Sequence, residues 1–293
     1  MTDFTNMPKR NKSYAGANGS KISVLYNGEL YMLKFPAVSI RNTDMSYSNS
    51  CISEYLGCKI FESIGIPVQE TELGIYTTKS GKEKVVVACK DFTASGLIIQ
   101  DFASLKNQIV DSERNGYGTE LSDILETFEQ QTAIDSEILS ERFWDMFIVD
   151  ALIGNWDRHN GNWGFLYNGA TDEMSLAPVF DCGSSLFPQA DEKIIQRILS
   201  NKGELNHRIY NIPLSAIKQN GEKINYFDFI SSLENKDCNK ALNRIHEKID
   251  IEKINSIVDK TPFITDSHKD FLKTLLTARK EKILDYSLKR LRA

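Results

Sequence analysis

Gly154-Asn155-Trp156-Asp157-Arg158-His159-Asn160-Gly161-Asn162 is the stretch on which the reading of this chain turns, taken together with Phe180-Asp181-Cys182-Gly183 downstream. It sets an Asp, a His and an Asn in a glycine-bounded loop and then, past a hairpin signal, presents a second Asp. Moving a γ-phosphoryl group asks little covalent work of a protein. It needs a carboxylate to orient and deprotonate the attacking hydroxyl, and oxygen ligands that hold Mg²⁺ against the phosphates. Asp157 suits the first role. Asn162 and Asp181 suit the second, because Mg²⁺ is a hard ion that takes carboxylate and amide oxygens and fills the rest of its shell with phosphate and water. Asn, Asp and Gly are also what surface turns are made of, so the loop alone does not decide; the second Asp weighs toward chemistry.

Working outward, Ser136 to Ile153 predicts a helix ending where the loop begins, with Ser136 as N-cap and Phe143, Phe147, Ala151 beside Trp144, Ile148, Leu152 as adjacent apolar stripes. After the loop, Trp163 to Tyr167 and Met174 to Val179 flank Asn168-Gly169 and predict a hairpin that returns Asp181 toward Asp157. The Asp-x-x-x-x-Asn spacing keeps base and amide ligand on one loop, as in the catalytic loop of protein kinases.

Toward the N-terminus, residues 1 to 13 are polar and read as an arm. Ala15-Gly16-Ala17-Asn18-Gly19-Ser20-Lys21 then leads into a hairpin, Ile22 to Leu25 and Leu30 to Phe35 around Asn27-Gly28. Glycines let backbone N–H groups approach phosphate oxygens, although such a run is by itself as readily a turn. Lys34 lies between Leu33 and Phe35, and either points to solvent by alternation or reaches into a cleft. Glu54, on a predicted helix from about Ser50 to Ser63, is the partner such a lysine has in kinases. Val68 to Tyr76 and Lys84 to Cys89 read as strands. The second leads into Ala88-Cys89-Lys90-Asp91-Phe92, where a connection between lobes would expose backbone able to read an adenine edge. Leu97 to Val110 and Leu121 to Gln130 read as helices, Asp111 to Gly118 as a loop, and residues 190 to 293 as a helical remainder.

Composition sets outer bounds. The chain has 293 residues, 41% of them hydrophobic and 26% charged, enough for one large domain or two lobes around a cleft. A net charge of −5 argues against nucleic acid as the main partner. Cys51, Cys58, Cys89, Cys182 and Cys238 are odd in number and irregularly spaced, which reads as reduced, packed thiols. No apolar run approaches the roughly 20 residues that span a bilayer, and the polar start lacks a signal-peptide core. The expectation is a protein made in the cytoplasm; release or translocation without a signal peptide would leave no mark in the sequence.

The glycine loop, Lys34, the Gly-Asn-Trp-Asp-Arg-His-Asn-Gly-Asn loop and Ala177-Pro178-Val179-Phe180-Asp181, in that order, resemble the HipA-like serine/threonine kinases over nearly the whole length. The resemblance implies an α+β, bilobal protein-kinase-like fold: one kinase domain over 1–293, with a small β-rich N-terminal lobe (1–90) and a larger, mainly helical C-terminal lobe (91–293). It implies ATP and Mg²⁺ as cofactors and protein substrates phosphorylated on Ser or Thr. Asp157 would be the catalytic base and Asn162 and Asp181 the metal ligands. Ala15, Gly16, Ala17, Asn18, Gly19, Ser20, Lys21 and Lys34 would hold phosphates, with Glu54 orienting Lys34. Ala88, Cys89 and Lys90 would bind adenine and His159 would lie beside the nucleotide. Larger members are autophosphorylated on a serine just before the Ala-Gly-Ala sequence; Ser13 occupies that place, and Ser20 is a second candidate. Larger members also carry a sizeable segment before this loop, tied to an antitoxin partner. About a dozen residues precede it here, which weighs against an antitoxin partner.

Two other functions stand against this one. The Asp-Arg-His-Asn-Gly-Asn loop also resembles that of phosphoinositide kinases, but the acidic chain has no polybasic stretch of the kind anionic head groups attract. A pseudokinase-like binding module would have lost the base or a metal ligand, and Asp157, Asn162 and Asp181 are all present.

Overall fold

The computed structural model describes residues 1–14, 20–36, 48–93, 95–109 and 115–293. The N-terminal part is built on β1 (Thr2–Asp3), β2 (Lys9–Arg10), β3 (Lys21–Tyr26), β4 (Glu29–Lys34), α1 (Ser50–Ile64), β5 (Thr71–Thr77) and β6 (Glu83–Lys90). The six strands form one sheet in the order β1-β5-β6-β4-β3-β2. All neighbours are antiparallel except β1, which lies parallel to β5. Asn27-Gly28 makes the β3–β4 hairpin as its dipeptide predicts, both residues having positive φ.

Alternation along the strands separates two faces. Val24, Tyr31, Leu33, Val86 and Ala88 bury one face beneath Phe4. Leu73, Val87 and Cys89 turn the other way, into the larger core that α1 shares. Lys34 is one residue past Leu33 and stands opposite Val87. Period two therefore puts it on the α1 face, away from solvent. The first residues are not a loose arm: Phe4 is fully buried, its N–H bonds the Ile75 carbonyl at 2.9 Å, and β1 and β2 extend both edges of the sheet.

The larger part comprises β7 (Ile98–Asp101), α2 (Phe102–Ile109), α3 (Leu121–Gln130), α4 (Ser136–Ile153), β8 (Gly164–Asn168), β9 (Glu173–Leu176), α5 (Glu192–Ser200), α6 (Lys202–Tyr210), β10 (Leu214–Gln219), β11 (Glu222–Asn225), α7 (Tyr226–Ser232), α8 (Lys236–His246), α9 (Ile251–Lys260) and α10 (Asp266–Arg279). A π-helical stretch, Lys280–Asp285, joins α10 to α11 (Tyr286–Leu291).

α4 is its axis. From Phe143 to Ile153 every residue but Asp145 is buried, the condition of a helix apolar all round. Its cap is Asp135, one residue before the expected Ser136: the carboxylate accepts from the N–H groups of Glu137 and Ile138 at 2.9 and 3.1 Å. A charged acceptor at the N-terminus also meets the helix dipole, so it outcompetes the hydroxyl beside it.

Two further expectations are corrected. The single helix expected over Leu97 to Val110 is a strand, β7, followed by α2, with residue 110 outside the described residues. β7 pairs with β8, and that tertiary pairing overrides a pattern ambiguous between helix and strand. Within the supposed helical remainder, β10 and β11 form a hairpin around Asn220-Gly221, both at positive φ. The Asn-Gly between Ile217 and Ile224 was its legible signal. Among the described residues no helix is long and apolar enough to cross a membrane, and all five cysteines are free and buried.

Candidate active site

The loop after α4 is anchored before it is functional. Gly154 closes the helix at φ 64, and a Cβ there would stand 3.2 Å from the Pro213 ring, so both conformation and space call for glycine. Asn155 bonds back to Asp150 and is held from outside by the Tyr226 hydroxyl, which donates to its carbonyl at 2.7 Å.

Arg158 does most of the fixing. Buried, it pairs with Asp150 at 3.0 Å and donates to the carbonyls of Asn162, at 2.8 Å, and Phe180. Burial works against the charge on both partners. For Arg158 the neighbouring Asp150 outweighs it and the pKa is raised; for Asp150 burial prevails and the carboxyl is raised. The pair fixes the loop to α4 and to the segment carrying Asp181 at once. Sequence reasoning gave Arg158 no role, though Asp150 within an apolar helix was a signal that something basic must meet it.

With the backbone so held, the Asp157 carboxylate is left available. Its own N–H and C=O are engaged by Asn155, His159 and Asn162. Its side chain is 38% exposed, and the closest ionic neighbour is His159 Nε2 at 3.9 Å. Burial raises its pKa above the ordinary 3.8 and the charge of Asp181 adds to this, while His159 opposes it. His159 Nδ1 accepts from the Gly161 N–H at 3.0 Å, which leaves Nε2 on the Asp157 side to carry the proton.

Asn162 donates from Nδ2 to the Asp157 carbonyl at 2.7 Å, fixing the amide so that its oxygen has no protein partner among the described residues. Asp181 sits at φ 60, a left-handed conformation uncommon outside glycine and a form of strain found at functional sites. Lys34 donates to its Oδ1 at 2.9 Å. That lysine holds the carboxyl down to about 2, against burial, which acts the other way.

Lys34 is the meeting point. Its ammonium stands 3.0 Å from Glu54 Oε2 as well as 2.9 Å from Asp181, bringing β4, α1 and the Asp181 segment together. Burial would lower its pKa, but the two carboxylates overcome this and raise it well above 10.5. The approach depends on Gly57, three residues from Glu54 on the same face of α1. A Cβ there would lie 2.5 Å from that of Cys182, so a bare helix surface is what lets the Asp181-Cys182-Gly183 segment close onto α1. A glycine inside a predicted helix was the sequence's only hint.

Lys21 begins β3 directly opposite Lys34, and burial first, then the charge of Lys34, lowers its pKa. Ser20 bonds Phe35 through its carbonyl, and Ser13 is exposed. Ala15 to Gly19 lie outside the described residues. Ala88, Cys89 and Lys90, expected to meet adenine, lie in β6 between β4 and β5: Ala88 and Cys89 are in register with both neighbours, and Lys90 with Tyr31 of β4, while its N–H bonds the Glu70 carbonyl at 2.9 Å. The first backbone beyond the ladder is Asp91 to Thr93, where Phe92 packs on Phe180 with ring centroids 5.8 Å apart.

The donor set fits Mg²⁺. It offers the Asn162 amide oxygen and Asp181 Oδ2, neither with a protein partner among the described residues, and both are the hard oxygen atoms this ion takes, beside phosphate and water. Among the described residues no group of three His, Cys, Asp or Glu side chains is placed to hold a metal.

Residues 12–257 match the model of the HipA-like C-terminal domain family. The chain belongs to this family. It is 52% identical over 275 residues to the serine/threonine-protein kinase CtkA of Helicobacter pylori, covering 94% of this chain and 83% of that one. The crystal structure of Helicobacter pylori CtkA, a proinflammatory kinase, superposes with a TM-score of 0.92 at 49% identity, over 99% of this chain and 98% of that one. HipA of Shewanella oneidensis, solved with HipB and operator DNA, superposes with a TM-score of 0.58 at 14% identity over 98% and 68% of the two chains, a likeness of fold alone. The HipA-like, kinase-like α+β fold expected from the motifs is thereby borne out.

Proposed function

We propose that this chain transfers the γ-phosphoryl group of Mg²⁺-bound ATP to serine and threonine hydroxyls of protein substrates, within a single catalytic domain whose lobes part after Lys90. An enzyme of the serine/threonine-protein kinase class is what its relationship to CtkA makes it. The observation that carries the finer reading is the single lysine, Lys34, held between Glu54 and Asp181 at 3.0 and 2.9 Å while Asp157 keeps a carboxylate without a hydrogen-bond donor among the described residues.

Lys34, oriented by Glu54, would hold phosphate oxygens of the nucleotide. Asp157 would accept a hydrogen bond from the substrate hydroxyl and receive its proton as the hydroxyl oxygen bonds to Pγ and ADP departs. Asn162 and Asp181 would hold Mg²⁺, which when bound neutralises the phosphate charge. His159, whose Nδ1 accepts from the Gly161 N–H, would lie beside the nucleotide.

The direct test is transfer of radiolabelled phosphate from ATP to a mixed serine/threonine peptide pool, with and without Mg²⁺. Transfer that ignores Mg²⁺, or none at all, would count against the reading. Asp181→Asn is expected to weaken Mg²⁺-dependent nucleotide binding, because a neutral amide lacks the carboxylate's charge against the ion. Calorimetry checks this, and an unchanged Mg²⁺-ATP affinity with the fold intact by circular dichroism would remove Asp181 from the metal site.

Autophosphorylation is expected on Ser13 first and Ser20 second, since both are exposed and stand on either side of the glycine-containing run 15–19 in the sequence. A phosphate brings about −1.5 to −2 charges; beside the position of ATP's own phosphates it would restrain activity. Mass spectrometry after incubation with ATP locates the site, and modification confined to residues far from 13–21 would refute this.

A further inference from the structure

The β10–β11 hairpin is fastened to both sides of the loop over 154–162. On one side, Asn160 donates from Nδ2 to the carbonyls of Gly116 and Gly118, each at 2.8 Å. The residues that follow hold the hairpin: the Thr119 carbonyl accepts from the Lys218 N–H at 2.8 Å, and the Thr119 hydroxyl donates to the Ala216 carbonyl at 2.8 Å. Glu120 completes this joint, its carboxylate accepting from the N–H groups of Asn220 and Gly221 in the turn at 2.5 and 3.0 Å. On the other side, β11 runs directly into α7, whose first residue, Tyr226, donates to the Asn155 carbonyl at 2.7 Å. Asp157 lies between Asn155 and Asn160, the two points of attachment.

Lys218 and Lys223 stand directly opposite each other in this hairpin. Ile224, the residue after Lys223, is buried, so alternation turns Lys223 to the outer face, where its cross-strand partner Lys218 lies beside it. Lys223 is exposed and Lys218 half-buried. Like charges opposed across two strands destabilise the pairing, and among the described residues neither ammonium has a hydrogen-bond or ion-pair partner to relieve the repulsion. Burial raises the pKa of Asp157, and the charges working against it include, after His159 and Arg158, that of Lys223. The hairpin therefore carries its positive charge within electrostatic reach of the Asp157 carboxylate.

We propose that Lys218 and Lys223 select protein substrates that carry an acidic side chain close to the serine or threonine being phosphorylated. This rests on the kinase reading given above. A substrate carboxylate placed over the two ammonium groups pairs with both and relieves their mutual repulsion. The gain exceeds that of an ordinary exposed pair, because neither lysine gives up a partner and the hairpin that presents them is already fixed to the loop. A substrate with lysine or arginine at the same place meets like charges, so the hairpin discriminates in both senses.

The test is steady-state transfer from Mg²⁺-ATP to a peptide library built around one serine, in which each flanking position in turn carries Glu, Gln or Lys. The unmodified chain is expected to favour Glu over Gln roughly 10-fold in kcat/KM at one or more positions, through KM. Lys218→Ala/Lys223→Ala should bring that ratio close to one, and Lys218→Glu/Lys223→Glu should turn it toward Lys. A ratio taken within one protein cancels any general loss of activity, so a merely structural role for the lysines leaves it unmoved. The thermal midpoint of the alanine pair should not fall, since a repulsion has been removed. If the glutamate pair fails to fold, the alanine pair and Lys223→Ala alone decide. An unmodified chain indifferent to Glu, or a preference that survives loss of both lysines, overturns the inference while the kinase reading stands. An unmodified chain that phosphorylates no peptide overturns both.

Discussion

Replacing Asp157 with Asn is expected to slow phosphoryl transfer by about 10²- to 10⁴-fold, the usual range for a general base, with nucleotide affinity nearly unchanged. The loop should survive the change. Its backbone is held by Arg158, Asn155 and the Asn162 amide, and none of these bonds uses the Asp157 carboxylate. An amide keeps the side chain's size but cannot receive the hydroxyl proton. A surface-turn aspartate would show no effect, since substitutions away from special features usually alter stability by less than about 0.5 kcal/mol. Transfer to the peptide pool, measured beside nucleotide binding, separates the two. The unmodified enzyme should also lose activity in acid at a higher pH than an ordinary carboxylate would dictate. The base works when deprotonated, and its pKa is raised by burial and by Asp181, so activity falls as pH drops through that raised value. A variant that transfers at the unmodified rate would end the mechanism proposed here.

Lys34→Ala should cost both function and stability, for separable reasons. Glu54 is 2% exposed and, among the described residues, the Lys34 ammonium at 3.0 Å is the compensating charge for its carboxylate, whose oxygens otherwise have no hydrogen-bond partner there. Breaking a buried pair from one side strands the other charge, at about 3–5 kcal/mol, so a sizeable fall in thermal midpoint is expected. Adding Glu54→Gln to Lys34→Met removes the stranded charge and should restore most of that stability. It should not restore nucleotide binding, because the cation that would meet the phosphates is still missing. Unfolding curves and calorimetry on the two variants check this. A double variant that recovered affinity along with stability would reduce Lys34 to a structural residue.

How these residues were found divides along physical lines. Elements set by local pattern were legible: α3 and α4 fall where their apolar stripes and charges predicted, and Asn27-Gly28 and Asn168-Gly169 sit at the turns of their hairpins. Asp157, Asn162 and Asp181 stood out as candidates too, because a phosphoryl-transfer site needs particular oxygen donors at particular spacings and few other uses call for that combination. Elements that exist only through pairing at a distance were not. β7 is a strand because β8 lies beside it, and Phe4 is a core residue because the edge of β5 receives it.

The same division runs through the site. By itself the sequence determined the α+β order of elements and singled out a candidate base, two candidate oxygen ligands and a lysine with two open directions, since each is a property of a residue type in a local frame. Only the tertiary structure decided the rest. The register of β4 against β6 turned Lys34 onto the α1 face, and the bare surface at Gly57 let the Asp181 segment close to 2.9 Å from it. Arg158 became the clamp between α4 and two loop carbonyls, and the pairing of β6 with β4 and β5 set Ala88 to Lys90 inside the sheet. Contacts between residues far apart in the chain depend on how whole strands and helices pack, and no window of sequence contains the partner that fixes them.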